Sequence, residues 1–292
     1  MAAALIGDWL GSPVAETLRV TGNLSRVYVV RLADGRTVVV KARPFADRLA
    51  GCAVVQHHLW SAGFPCPEPI AGPDRFGDLA LNAEAAVEPP PSSSTPPPPA
   101  ASAALLARLI ATAPRVPDTP PLTPSPPWIR WYHDEGPIWP RPDDRDADLH
   151  ANKSWHDDAA EAVRARLSRF EAPPVVGHCD FESHNIWWRD GEPLAVHDWD
   201  SAVAEPEPVI VGVAAAMFPA GADRHAATVE ESAEFLDAYE HASGRSWSTD
   251  ERAAAWAAGL WILLFNAKKW ALDGLDLLSR PEAEERARLA GL

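Results

Sequence analysis

Residues 177–200 read GHCDFESHNIWWRDGEPLAVHDWD and set His178, Asp180 and Asn185 in an H-x-D-x-x-x-x-N arrangement. Asp198 follows Asn185 by 13 residues, at the end of the apolar run Leu194, Ala195 and Val196. An aspartate able to take a proton, an amide oxygen and a second carboxylate are the parts that a phosphoryl-transfer site gathers around Mg²⁺. Asp190-Gly191 is a hairpin signal between two short runs of strand-forming residues. The stretch reads as a catalytic loop, a short β-hairpin and a metal-binding aspartate just past the second strand. An isolated H-x-D is as often a surface hydrogen-bonding turn. A rival assignment takes His178, Asp180, His184, His197 and Asp198 as ligands of a two-metal phosphoesterase. That assignment leaves Asn185 without a role and asks nothing of the N-terminal part of the chain.

Phosphoryl transfer from a nucleotide does ask something there: a glycine-containing turn over the phosphates and a lysine on a strand. Residues 20–25, VTGNLS, are turn-rich with one glycine, Gly22. Residues 26–32, RVYVVRL, read as a strand, Asp34-Gly35 as a hairpin turn, and residues 37–41, TVVVK, as the returning strand that ends on Lys41. The backbone amides following Gly22, including that of Asn23, and the Ser25 hydroxyl can meet phosphate oxygens as an anion-binding nest. Lys41 then fits a phosphate ligand better than a solvated strand end.

Together these segments resemble the aminoglycoside phosphotransferase family, small-molecule kinases with a protein-kinase-like fold. The resemblance implies that Asp180 is the base accepting the substrate hydroxyl proton and that His178 shapes the catalytic loop. It implies Asn185 and Asp198 as Mg²⁺ ligands, and Lys41 with Gly22, Asn23 and Ser25 as nucleotide-phosphate contacts. It also implies a glutamate partner for Lys41 on the following helix, about residues 46–61. The matching position is near Cys52, and that helix contains no glutamate. Gln56 or Asp47 substitutes, or phosphate alone holds the lysine. The segment Gly-x-Pro-x-x-Asp of the resembled family falls on residues 204–209, AEPEPV, with Val209 in place of the carboxylate that braces the catalytic loop. Asp200 is a candidate for part of that bracing. These departures place the chain in an atypical branch.

The expected architecture is α+β and two-lobed, protein-kinase-like: a small N-lobe antiparallel sheet with one helix and a larger, mainly helical C-lobe. Residues 1–87 form the N-lobe, the proline-rich stretch 88–100, EPPPSSSTPPPPA, the hinge or linker, and residues 101–292 the C-lobe with the acceptor site. Backbone groups of residues 84–88 would face the adenine ring, although prolines offer few N–H donors. Residues 76–87 read as the clearest later strand. Helices are expected at 101–113, 154–170, 209–218, 229–241 and 251–272. Between 114 and 152 runs a long proline-rich segment with Trp128, Trp131, Tyr132 and Trp139. Its aromatics form either a lid for a polar cation or anchors on the C-lobe core, the latter favoured. Glu230, Glu231, Glu234 and Asp237 make one helix face acidic, as a solvated face or an ammonium-binding one.

The chain has 292 residues, 47% of them hydrophobic, and a formal charge of −15. Such acidity argues against nucleic acid or an anionic membrane as partner, and suits a cationic substrate as well as simple solubility. Cys52, Cys66 and Cys179 show neither disulfide nor zinc spacing, and Cys179 reads as a buried structural thiol. No secretory signal or membrane span is expected, which points to a cytoplasmic enzyme, monomeric or dimeric. The expected reaction is ATP- or GTP-dependent, Mg²⁺-assisted phosphorylation of a small-molecule hydroxyl. The favoured acceptor is a cationic antibiotic, an aminoglycoside or a basic peptide, giving resistance. The alternatives are a metabolic alcohol such as choline, homoserine or a sugar, and a kinase-like binding protein without turnover.

Overall fold

The computed structural model describes residues 3–22, 25–90, 97–133, 136, 138–221 and 225–292. Helix α1 (Ala3–Leu10) leads into strands β1 (Val14–Gly22), β2 (Arg26–Leu32) and β3 (Thr37–Pro44). Helix α2 (Arg48–Ser61) follows, then β4 (Pro69–Phe76) and β5 (Leu79–Ala85). The five strands make one antiparallel sheet in the order β1-β2-β3-β5-β4. Period-two alternation gives this sheet two unlike faces. Tyr28, Val30, Leu32, Val38, Val40, Ala42, Leu81 and Ala83 form a small apolar core with Ile6 of α1. The opposite face of β3 and β5 carries Lys41, Arg43, Asn82 and Glu84, in the register Lys41 opposite Asn82 and Val39 opposite Glu84. The polar face is the one that builds the site.

The rest of the chain is mainly helical: α3 (Pro99–Thr112), α4 (Trp155–Leu167), α5 (Glu207–Met217), α6 (Val229–Ser243), α7 (Thr249–Ala271) and α8 (Arg280–Leu289). Between α4 and α5 lie the pair β6 (Pro174–His178) and β9 (Ala202–Pro206), and the hairpin β7 (Ile186–Arg189) and β8 (Glu192–Val196). Helix α5 is buried along its whole length. It crosses α7 so closely that a Cβ at Gly212 would collide with the Ala255 carbonyl. Cys52, Val55 and Leu59 of α2 belong to this larger core and not to the sheet's own. Arg48 donates to the carbonyls of Leu122, Asp200 and Ala202, so α2 is docked on the site's backbone.

Several expectations change in detail. Two helices, not one, accompany the sheet, since α1 covers its apolar face. The run 76–87 is a hairpin corner at Gly77 (φ 64°) followed by β5. Strand β3 continues past Lys41 to Pro44. Trp131 and Trp139 of the long segment are core anchors, 5% and 1% exposed. The acidic side of α6 forms ion pairs and caps: Asp237 and Glu240 hold Arg252, and Glu231 caps Thr228. Among the described residues no helix is long and apolar enough to cross a membrane.

Candidate active site

Strands β6 and β9 present the loop that follows His178. The His178 ring is fully buried, accepts the Asp180 N–H at Nδ1 (3.2 Å) and donates from Nε2 to the His197 carbonyl (3.1 Å). Burial lowers its pKa to about 4, so the ring is a neutral strut between the two halves of the site. With both nitrogens engaged, it has no lone pair left for a metal. Asn185 donates to the Asp180 carboxylate (2.7 Å) and to its carbonyl (3.0 Å). Those bonds occupy the amide nitrogen and leave the amide oxygen as its free ligand. The His197 N–H in turn donates to the Asn185 carbonyl (2.8 Å), tying the β8 end to the loop. The β7–β8 turn falls on Asp190-Gly191, both with positive φ (53° and 82°).

Asp198 sits in the left-handed region (φ 66°), and its carboxylate receives Lys41 Nζ at 2.9 Å. Burial works against the Lys41 charge, but Asp198, then Glu84 and Asp200, outweigh it and raise its pKa. Burial likewise opposes ionisation of Asp198, and Lys41 reverses this, holding the carboxyl well below the usual range. Arg43, two residues on along the same face, pairs with Asp200 and donates to Asn82 (2.5 Å).

Asp180 opens onto a cleft of about 340 Å³ lined by Trp128, Asp143, Glu182, Phe265 and Lys269 among others. Burial, reinforced by Asp198, pushes the Asp180 pKa up to about 6. Burial and then Asp180 raise that of Glu182. Ligand atoms of Asp180, Glu182 and His184 lie within 4.8 Å of one another. Lys269 is paired with Asp144 at 2.8 Å, so it does not neutralise the cleft alone.

The fold thus brings together Lys41, His178, Asp180, Asn185 and Asp198. Gly22 ends β1 and pairs with Arg26, whose next neighbour Val27 on β2 stands opposite Lys41 on β3, so Gly22 lies at the lysine's end of the sheet. Asn23 lies outside the described residues. Asp47 is the N-cap residue of α2, and Gln56 binds Glu84, so neither is hydrogen-bonded to Lys41. Val209 is buried in α5. The adjacent carboxylates turn elsewhere: Glu205 accepts from Ser125 and Tyr132, and Glu207 from Tyr239. Asp200 is held by Arg43 and does not brace the loop, which is tied instead through Ser183 to the Phe218 carbonyl (2.8 Å). Cys179 is a buried thiol against the Ser201 carbonyl (3.2 Å), kept protonated by burial. Sequence reasoning missed Arg43, Asn82 and the side chain of Glu84. Alternation from Lys41 along a longer β3 was the available signal for Arg43.

A five-stranded sheet whose lysine meets an aspartate that follows an H-x-D-x-x-x-x-N loop defines a kinase-like small-molecule phosphotransferase. The chain belongs to the phosphotransferase enzyme family (APH), whose family model matches residues 17–256. No curated protein matches the sequence. Among solved structures, a candidate fructosamine-3-kinase from Thermobifida fusca superposes with TM-score 0.60 at 20% identity, covering 99% of this chain and 98% of that one. The amicoumacin kinase hAmiN, in complex with AMP-PNP, Ca²⁺ and Ami, gives TM-score 0.62 at 13% identity, with coverage of 99% and 91%. The aminoglycoside phosphotransferase APH(4)-Ia, in ternary complex with ADP and hygromycin B, gives 0.58 at 16%, with coverage of 99% and 96%. At these identities the likeness is one of fold.

Proposed function

We propose that this protein transfers the γ-phosphoryl group of ATP, or of GTP, to a hydroxyl of a small cationic molecule, most readily an aminoglycoside or a basic peptide antibiotic. Resistance by modification would be the outcome. The observation that carries this reading is Asp180, fixed by Asn185 at the mouth of a cleft, with the Lys41–Asp198 pair behind it. The sheet and the helical part then act as two lobes joined through residues 88–100, with nucleotide between them, in the cytoplasm where ATP is supplied.

The donor set fits Mg²⁺. Asp198 and Asp200 both work against the charge on Asp180, and Asn185 has an amide oxygen to offer beside them. Hard oxygen ligands crowded in this way suit a divalent hard cation. Asn185 and Asp198 would hold it, and once bound it supplies neutralisation of phosphate charge. Lys41 holds the α- and β-phosphates, with Gly22 and Ser25 as further phosphate contacts. Asp180 accepts the hydroxyl hydrogen bond, orients the oxygen and takes its proton. His178 fixes the loop backbone. Positioning and electrostatics account for most of the rate in such a site. Asp143 and Glu182 give the cleft its preference for an ammonium group, and the overall charge of −15 works in the same direction.

The test is nucleotide binding and ADP release with a panel of cationic antibiotics. Mg²⁺-ATP or Mg²⁺-GTP is expected to raise the melting temperature beyond Mg²⁺ alone. Asp180→Ala should lose turnover by about 10³-fold or more while still binding nucleotide. Asp198→Ala should lose the Mg²⁺-dependent part of that binding. Turnover by Asp180→Ala equal to the parent would refute the base assignment.

A further inference from the structure

Helix α2, RLAGCAVVQHHLWS, carries no carboxylate at all. A phosphate-binding lysine still needs something to hold it once a nucleotide arrives, because its present partner, Asp198, then has a metal to serve. The sheet supplies a second carboxylate. Glu84 on β5 stands opposite Val39, and Lys41 is two residues from Val39, so the two side chains share a face as diagonal cross-strand neighbours. Both are buried, 3% and 7% exposed, and both line a small void of about 30 Å³ together with Gln56 and Asp200.

A buried carboxylate is costly unless it is hydrogen-bonded and near a cation. Glu84 meets both conditions. Its Oε2 accepts from Gln56 Nε2 at 3.0 Å, and the same amide donates to the Pro67 carbonyl at 3.1 Å, which locks the Gln56 rotamer. Its Oε1 faces His197 Nδ1 at 4.0 Å, and Lys41 is the charge that acts on it most strongly. Gln56 lies one turn beyond Cys52 on α2 and is 4% exposed. The helix therefore holds, through the Gln56 amide, the strand carboxylate whose charge acts on the lysine.

We propose that Glu84, clamped by Gln56, is the positioning residue that holds Lys41 toward the nucleotide phosphates, so that a strand carboxylate does here what a helix glutamate would otherwise do. This rests on the nucleotide-binding reading of the site. Glu84 acts through Lys41 and need not touch substrate. Its loss should weaken nucleotide binding and leave the KM for the acceptor, which sits on the far side of Asp180, largely unchanged.

The experiment measures Mg²⁺-AMP-PNP binding by calorimetry, with the ligand-free melting curve of each protein alongside. Glu84→Gln keeps the shape and removes the charge, and should weaken binding about 10-fold. The exchange Gln56→Glu with Glu84→Gln moves the carboxylate across one hydrogen bond onto the helix. It should restore affinity to within about 3-fold of the parent. A merely structural role would not produce that rescue. Lys41→Met is the control for the site itself. If the parent binds no nucleotide, the functional reading falls and this inference with it. If Lys41→Met loses binding while Glu84→Gln binds like the parent, only the inference is overturned. An exchange variant no better than Glu84→Gln overturns it too. Should Glu84→Gln fail to fold, the exchange variant decides alone: affinity near the parent's supports the relay, and affinity near that of Lys41→Met refutes it.

Discussion

Asp180 is ionised at neutral pH against the preference of its surroundings. Its folded pKa of about 6 lies above the ordinary 3.8, because burial and Asp198 both disfavour the charge. For an acid raised on folding, the native state binds the proton more tightly than the unfolded chain, so stability falls as pH rises from about 4 through about 6. Removing the charge should therefore stabilise the metal-free protein. Asp180→Asn, which can still accept from Asn185, is expected to gain up to about 2 kcal/mol at pH 8, partial exposure taken into account, and well under about 1 kcal/mol at pH 4. Melting curves across that range, with chelator present, check it; a gain of equal size at both ends would disprove the electrostatic cause. Under the proposed function, Asp180 is a site where stability is given up for reactivity. His178 and Lys41 show the same burial with opposite results. The histidine stays neutral, satisfied by two backbone groups, while the lysine stays charged because carboxylates surround it.

At the scale of elements, the site depends on two close approaches that glycine alone permits. On α2, a Cβ at Gly51 would lie 2.5 Å from the Pro120 carbonyl and 2.8 Å from Leu122 Cδ2. On α5, one at Gly212 would strike the Ala255 backbone of α7. Alanine raises intrinsic helix propensity by about 1 kcal/mol, but the overlap outweighs it. Gly212→Ala should lower the melting temperature by about 5 °C or more. A neutral result would mean that the two helices slide apart freely. Much of the element list was legible in the chain: the Asp34-Gly35 and Asp190-Gly191 hairpins, the strand-forming run of β2, and the helix expected over 154–170. Helices α1 and α8 were not, because short segments carry little periodic signal. The 76–87 run was read as one strand because Gly77 sits between two β-forming stretches and its positive φ is visible only once folded.

For the whole molecule, the charge of −15 sets a field that draws cations. Salt screens exposed charges over about 10 Å at 0.1 M, so the KM for a cationic acceptor should rise about 3-fold or more between low salt and 0.3 M, with kcat little changed. A KM indifferent to salt would argue for an uncharged acceptor. The sequence alone determined the family, the strand position of Lys41 and the loop that follows His178, because those residues recur at short spacings that local structure enforces. Tertiary structure alone decided what surrounds them. Lys41 and Asp198 lie 157 positions apart and meet at 2.9 Å. Arg43 finds Asp200, and Glu84 rather than any residue of α2 provides the second carboxylate beside the lysine. Which charge answers which is fixed by the packing of a sheet face on a helix and a loop from distant parts of the chain, and no local pattern encodes that packing.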